Sequence, residues 1–281
     1  MIPTLEDFRA AHKRIKPYVH NTPVLTSQHI NEITGCEVYF KCENFQKVGA
    51  FKARGGFNAL LSLTPEEKTK GVTAHSSGNH AQAVALAAKT LDIKAYIVMP
   101  TSAPEVKKKA VIGYGAEVIE CEPTLEARES TVTQIIKDKG AVLIHPFNDY
   151  RIIAGQGTAA IELLEEQSDL NYIFTPIGGG GLVSGSALVA KYLSPQTKVI
   201  GTEPEEADDA FHSFKAGEIL PHKTPPKTIA DGLLTTLGEK TFEIIKHEVA
   251  DVLLVNEREI VDAMKLLWER MKIVCEPSCA V

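Results

Sequence analysis

The chain has 281 residues, 44% hydrophobic and 23% charged, with a formal net charge of -6. That length predicts two domains or one large α/β body with an ample core, and the acidic balance argues against a nucleic-acid partner. No run approaches the roughly 20 apolar residues that span a bilayer, and Met1 to Lys16 turns charged too early for a secretion signal. The odd set Cys36, Cys42, Cys121, Cys275 and Cys279 lacks zinc spacing and predicts reduced thiols in a cytoplasmic setting.

In chain order, Thr4 with Asp7 three positions later opens a helix carrying Phe8, Ala11, Ile15 and Val19 on one face. Asn21-Thr22-Pro23 breaks it. Residues 37–42 have strand composition, 52–63 read as helix, and Thr64-Pro65-Glu66-Glu67 starts a short helix with a cap, a proline and two early acids. From Gly71 the pattern alternates. Strands are predicted at 72–75, 94–99, 117–120, 141–144, 172–176 and 198–202, and helices at 82–91, 103–111, 125–139, 158–166 and 182–192. Such alternation indicates a parallel sheet flanked by helices, and 71–146 has enough units for a small sheet of its own. Residues 221–227 read as an exposed connection. Trp268, with Leu266, Leu267 and Met271, reads as core. No internal repeat is present.

Three loops carry chemistry. Gly178-Gly179-Gly180-Gly181 lies between an apolar strand and a small-residue helix, where bare backbone amides and a helix N-terminus suit a phosphate. A tight turn needing glycine only for its dihedrals is the plainer alternative. Glu203, one strand later, stands where a ribose-binding acid belongs in a dinucleotide site, although the spacing G-x-G-x-x-G is absent. Ser76-Ser77-Gly78-Asn79-His80, also between strand and helix, offers hydroxyls, an amide and free N–H groups to a carboxylate or an aromatic oxygen, or else simply caps the helix. In Glu43 to Gly56, Lys52 sits between Phe51 and Ala53. Desolvation there would lower its pKa and make it a Schiff-base nucleophile, whereas most lysines are solvated surface groups.

The motifs ENFQKVGAFKARG, SSGNHAQA, IAGQGTAA, GGGGLVSG, VIGTEPEEADD, TIADG and WERMKIVCEP occur in this order over nearly the whole chain. Together they resemble the fold-type-II pyridoxal-phosphate enzymes, within them the serine racemase and serine/threonine (3-hydroxyaspartate) dehydratase group. The resemblance implies an α/β fold like that of the tryptophan synthase β chain. Residues 1–65 and 150–281 would form a large domain on a twisted, mostly parallel sheet, and 71–148 a small mobile domain. It implies that Lys52 carries the coenzyme as a Schiff base, that Phe51 packs by its ring, that Asn79 bonds the ring hydroxyl, and that Gly178, Gly179, Gly180 and Gly181 cup the phosphate. Gly232 would supply a backbone contact, and Glu276 a carboxylate at the ring edge.

It further implies that Ser77 faces Lys52 across the ring. Ser76, Ser77, Gly78, Asn79, His80 and Arg128 would surround an amino-acid substrate. Glu203, the Ala207 carbonyl and Asp209 would hold magnesium or calcium, whose oxygen preference suits them; an acidic surface loop is the alternative. The implied reaction removes the Cα proton of serine, threonine or 3-hydroxyaspartate, giving dehydration, racemisation or both, in a cytoplasmic homodimer. His80 reads as structural, and His145, before Pro146, has no assigned role.

The family's pattern runs on beyond the last residue here, through a helix and a strand ending in a Ser-Gly-Gly-Asn turn. That turn is absent from this sequence. The resemblance therefore implies an incomplete coenzyme floor, an uncovered sheet edge, and a longer natural protein. Two other readings stay open: a nucleotide-binding oxidoreductase built on the glycine loop and Glu203, and a coenzyme-binding remnant without activity.

Overall fold

The structure, a computed structural model, describes residues 1–222 and 224–281. Its first helix, Leu5–Ile15, begins in the expected reciprocal cap: Thr4 accepts from the Asp7 amide, and Asp7 accepts from the Thr4 amide at 2.8 Å. It stops short of Val19 because Pro17 follows the last turn. Thr64 and Glu67 cap Pro65–Lys70 in the same way.

Among the described residues, nine strands fall into three sheets. β1 (Val24–Thr26) and β2 (Tyr39–Lys41) form an antiparallel pair. β3 (Val72–His75), β4 (Ala95–Pro100), β5 (Glu117–Cys121) and β6 (Val142–Leu143) make a parallel sheet in the order β5-β4-β3-β6, the small sheet expected within 71–146. β7 (Tyr172–Pro176), β8 (Lys198–Pro204) and β9 (Asp251–Val255) make a second parallel sheet in chain order. β7 is an edge, with Tyr172 and Phe174 exposed. One apolar core underlies the β7–β9 sheet and a second underlies the helix Lys52–Leu61 and the β3–β6 sheet.

Several boundaries differ from the sequence pattern. The helix expected at 158–166 is Tyr150–Glu166, two turns longer. Gly155 and Gly157 sit inside it because neighbouring atoms leave no room for a side chain. A Cβ on Gly155 would lie 2.6 Å from the Gly55 Cα, and one on Gly185 2.6 Å from the Gly157 amide nitrogen. This seam binds Lys52–Leu61 and Gly181–Leu193 to opposite sides of Tyr150–Glu166. The lysine-bearing and glycine-loop-bearing helices thus share one rigid partner.

Trp268 is a correction. It is 45% exposed, because the amphipathic helix Glu257–Met271 buries Ile260 and Leu267, one position out of phase with it. The connection 221–227 is largely exposed in its described residues. All five cysteines are free thiols, and no described helix is long and apolar enough to cross a membrane.

Candidate active site

Lys52 opens its helix, entered through a left-handed turn at Val48 (φ 58°) and Gly49 (φ 69°). Its Nζ donates to the Pro146 carbonyl at 3.0 Å and lies 5.1 Å from the Phe51 ring centre. Burial lowers its pKa from 10.5 to about 8, against an opposing pull from Glu276. The amine therefore reaches its uncharged form, the state a nucleophile or base requires, at a lower pH than an ordinary lysine does.

Asn79 is the first residue of Asn79–Thr90, three residues before the helix start expected at 82, so the loop Ser76-Ser77-Gly78 sits directly at a helix N-terminus. The Asn79 amide donates to both Glu276 oxygens, at 2.9 and 3.1 Å. Those two residues are 197 positions apart, and their pairing unites two resemblance-based expectations at one point. Gly180 caps Gly181–Leu193 with φ 86°. The Ser184 amide is the first to reach a helix carbonyl, that of Gly180 at 3.0 Å, so the amides before it have no intrahelical partner. Converging amides at a helix start attract an anion.

Phe51, Lys52, the residues Ser76 to Asn79, Gly178 to Gly181 and Glu276 line one cavity of about 2340 Å³, together with His80, Arg128 and Gly232. The structure thus brings together every residue expected around coenzyme and substrate. The Arg128 Nε is buried without a hydrogen-bond partner, a donor available to an anion in the cavity. His80 Nε2 contacts the Ile144 carbonyl at 2.9 Å, and burial pushes its pKa down to about 3. It is a neutral, structurally held ring, as its bland reading expected.

Sequence reasoning missed the other wall. The Pro146 carbonyl meets Lys52, and the Phe147 ring occupies the space that a Cβ on Gly179 would need. His145 Nδ1 accepts from the amides of Phe147 (3.3 Å) and Asn148 (2.9 Å), and burial lowers its pKa to about 4. Ser278 Oγ accepts from the Gly232 amide at 3.0 Å. Only the His145-Pro146 pair had stood out in the sequence, and its spacing implied no role.

Glu203, Ala207 and Asp209 lie apart from this cavity and are all buried. Glu203 accepts from the amides of Ala210 (3.2 Å) and Phe211 (2.8 Å). Asp209 accepts from the Leu237 amide at 3.0 Å and lies 3.2 Å from His222 Nε2. Burial and then Asp209 push the Glu203 pKa up to about 9. Glu205 and Glu206 are exposed, so the acidic run divides into solvated and buried members. Among the described residues no three His, Cys, Asp or Glu side chains gather as a metal site. Glu203 does not line the glycine loop's cavity and its carboxylate is taken up by the Ala210 and Phe211 amides, which removes the ribose-binding acid from the nucleotide reading.

A family model described as pyridoxal-phosphate dependent enzyme matches residues 15–281. A serine racemase of Dictyostelium discoideum is 56% identical over 99% of this chain and 86% of its own length. A beta-hydroxyaspartate dehydratase of Paracoccus denitrificans is 49% identical over 100% of this chain and 89% of its own. The crystal structure of the Dictyostelium serine racemase superposes with a TM-score of 0.95 at 55% identity, covering 99% of this chain and 89% of that one.

Proposed function

The chain belongs to the pyridoxal-phosphate dependent enzymes, and on that premise we propose that it removes the Cα proton of a small β-hydroxy amino acid, acting as a dehydratase, a racemase or both. The observation that carries this reading is the Lys52 amine, depressed by burial, in one cavity with the glycine loop and the Asn79–Glu276 pair. The cavity fits the coenzyme: it offers a buried amine, unpartnered amides at a helix start, and side-chain donors and acceptors for a ring edge. When bound, the coenzyme withdraws electrons from the amino acid and makes its Cα proton removable.

Each residue then has a task. Lys52 anchors the coenzyme and takes the Cα proton once its amine is free. The amides from Gly178 to Gly181 hold the phosphate, Asn79 and Glu276 steady the ring edge with Phe51 beside it, and Gly232 closes the rim through its backbone. Ser76 and the backbone amides of the loop from Ser76 to Asn79 hold the substrate carboxylate at the helix start. Arg128 favours a substrate with a second anionic group, such as 3-hydroxyaspartate. Loss of the β-hydroxyl gives dehydration; a proton returned by Ser77 gives the mirror-image amino acid.

Ser77→Ala is therefore expected to lower racemisation by about 10²–10⁴-fold, the usual worth of a positioned acid, while dehydration falls much less. Chiral product analysis on serine checks this, and an equal loss of both activities would remove Ser77 from its role. The whole reading is tested by incubating the purified protein with the coenzyme. A yellow band that borohydride bleaches, with oxo acid released from serine, threonine or 3-hydroxyaspartate, is the expected result. A chain that stays colourless refutes it, and a yellow chain that releases nothing supports the remnant reading.

Glu203, Asp209 and the Ala207 carbonyl support a magnesium or calcium site of structural purpose. The Glu203 proton persists in the folded state up to about pH 9, so this group destabilises the fold increasingly as pH rises above the ordinary carboxylate range. A cation binding the ionised pair relieves that cost. Added calcium is therefore expected to raise the melting temperature more on the alkaline side of neutrality than on the acid side, and Asp209→Ala should erase the increment. Residues 71–148 are proposed as a small mobile domain against 1–65 with 150–281. A cytoplasmic homodimer completes the proposal, the free thiols supporting the compartment and sedimentation testing the assembly.

A further inference from the structure

Arg54 heads the largest fully buried side chains among the described residues, two positions after Lys52 on the same helix. Its guanidinium grips two carboxylates. Nε and Nη2 donate to Glu43 at 2.8 and 2.7 Å, and Nη1 and Nη2 donate to Glu162 at 2.7 Å each. Nη1 also meets the Thr158 hydroxyl at 3.2 Å. Glu162 is held from its other side by Lys41 at 2.8 Å. Burial disfavours the charge on Arg54, yet Glu43 and Glu162 outweigh it and keep the group protonated.

A buried ion cluster of this kind contributes little net stability, since desolvation offsets its attraction. Its value lies in direction. Two planar forks on one guanidinium admit one orientation, and the two carboxylates come from separate segments, the turn Glu43–Phe45 and the helix Tyr150–Glu166. Beside it the Gly55 amide donates to Gln156 Oε1 at 3.0 Å, and the Asn58 amide to the Arg151 carbonyl at 2.7 Å. The helix Lys52–Leu61 is thereby fixed in rotation and depth from its first turn onward.

We propose that Arg54, clamped by Glu43 and Glu162, is a positioning residue that sets where the Lys52 amine emerges against the Pro146 carbonyl and the glycine loop. The inference rests on the reading of Lys52 as the working amine. Arg54 and Glu162 do not line the cavity, so their effect must pass through the helix; Glu43 borders it as well as gripping Arg54. The titratable groups that act on or feel Lys52 are Glu276, His80 and His145, none of which hydrogen-bonds to a clamp residue.

The test uses Arg54→Lys, which keeps the charge and loses the double fork, and Glu43→Gln, which keeps the shape and weakens one fork. Ile93→Ala, a cavity in the core beside the β3–β6 sheet, controls for lost stability alone. Labelling of Lys52 by an amine reagent, followed by mass spectrometry across pH in the coenzyme-free chain, reports the amine's environment. Visible absorbance reports coenzyme affinity, and turnover of serine separates kcat from KM. Arg54→Lys and Glu43→Gln are expected to move the labelling midpoint upward toward an ordinary lysine, to weaken coenzyme binding, and to lower kcat by about 10²-fold, as a small misplacement does, with KM little changed. Ile93→Ala should lower the melting temperature and leave the labelling midpoint in place.

Folded clamp variants with the parent's midpoint and coenzyme affinity overturn the proposal. If Arg54→Lys fails to fold, Glu43→Gln decides; if neither folds, the cluster is a folding element and the positioning role is refuted. A parent chain that takes up no coenzyme would overturn the functional reading separately, since the labelling midpoints still judge the clamp.

Discussion

Lys52→Ala is expected to remove the yellow band and to cut turnover by roughly 10⁴-fold or more, the upper end of what one positioned proton-transfer group supplies, because the same amine is also the covalent anchor. The change should not unfold the protein. Lys52 makes one hydrogen bond, to the Pro146 carbonyl, and its surroundings oppose its charge. The linkage has a definite sign. The folded amine loses its proton near pH 8 and the unfolded one near 10.5, so between those values the unfolded state holds more protons and stability rises with pH. Below about pH 8 the folded state carries the full cost of a buried ammonium, up to about 3 kcal/mol for a shift of this size. The alanine variant escapes that cost. It should be as stable as the parent or more so near neutrality, with the difference fading as pH approaches 10.5. Denaturant midpoints across that range check the stability claim, and absorbance with product analysis checks the chemistry. A variant that keeps the yellow band would show that another amine carries the coenzyme.

The legible and illegible parts of this site divide along a physical line. The glycine loop was visible because it stands at a strand-to-helix junction, where local sequence sets both conformation and chemistry; Lys52 and Asn79 had only weak local signals and stood out through the family resemblance. The alternating pattern from Gly71 onward placed β3, β4, β5 and β7 within a residue of their observed ends. The clamp on Arg54 was not legible. Its partners Glu43 and Glu162 are 11 and 108 positions away, and nothing local marks a carboxylate as buried. The same holds for Pro146, which acts through its carbonyl, an atom every residue possesses. The helix Tyr150–Glu166 was expected only from residue 158, and Gly155 and Gly157 in its first half are its contact surface against neighbouring helices. β9 and the helices after residue 208 escaped notice because no junction motif flagged them.

Gly180→Ala is the second change with a large expected effect, for reasons that add. Gly180 holds φ 86°, a left-handed conformation that costs a residue with a Cβ about 1–2 kcal/mol. The new Cβ would also sit 2.8 Å from Ile245 Cδ1, 2.9 Å from Thr241 Cβ and 3.0 Å from Leu237 Cδ2, all buried beneath Glu239–Glu248 and its lead-in. Forcing a methyl group into such packing costs about 1–3 kcal/mol more. The sum is about 2–5 kcal/mol of stability, with one further consequence for function. Relief of either strain turns the loop's peptide planes, so the amides no longer converge at the helix start and their grip on phosphate weakens. Because a ligand stabilises the fold in proportion to its binding, the variant should melt lower and also gain less from added coenzyme than the parent does. Gly113→Ala separates this from a general intolerance of side chains at glycine positions. Gly113 ends the helix Glu105–Gly113 with nothing within 4 Å of its Cβ position, and its φ is not positive. That change should be neutral or raise stability by up to about 1 kcal/mol. Melting curves of both variants with and without coenzyme make the comparison. A Gly180→Ala protein that binds coenzyme as the parent does would mean that phosphate is held elsewhere than at this loop.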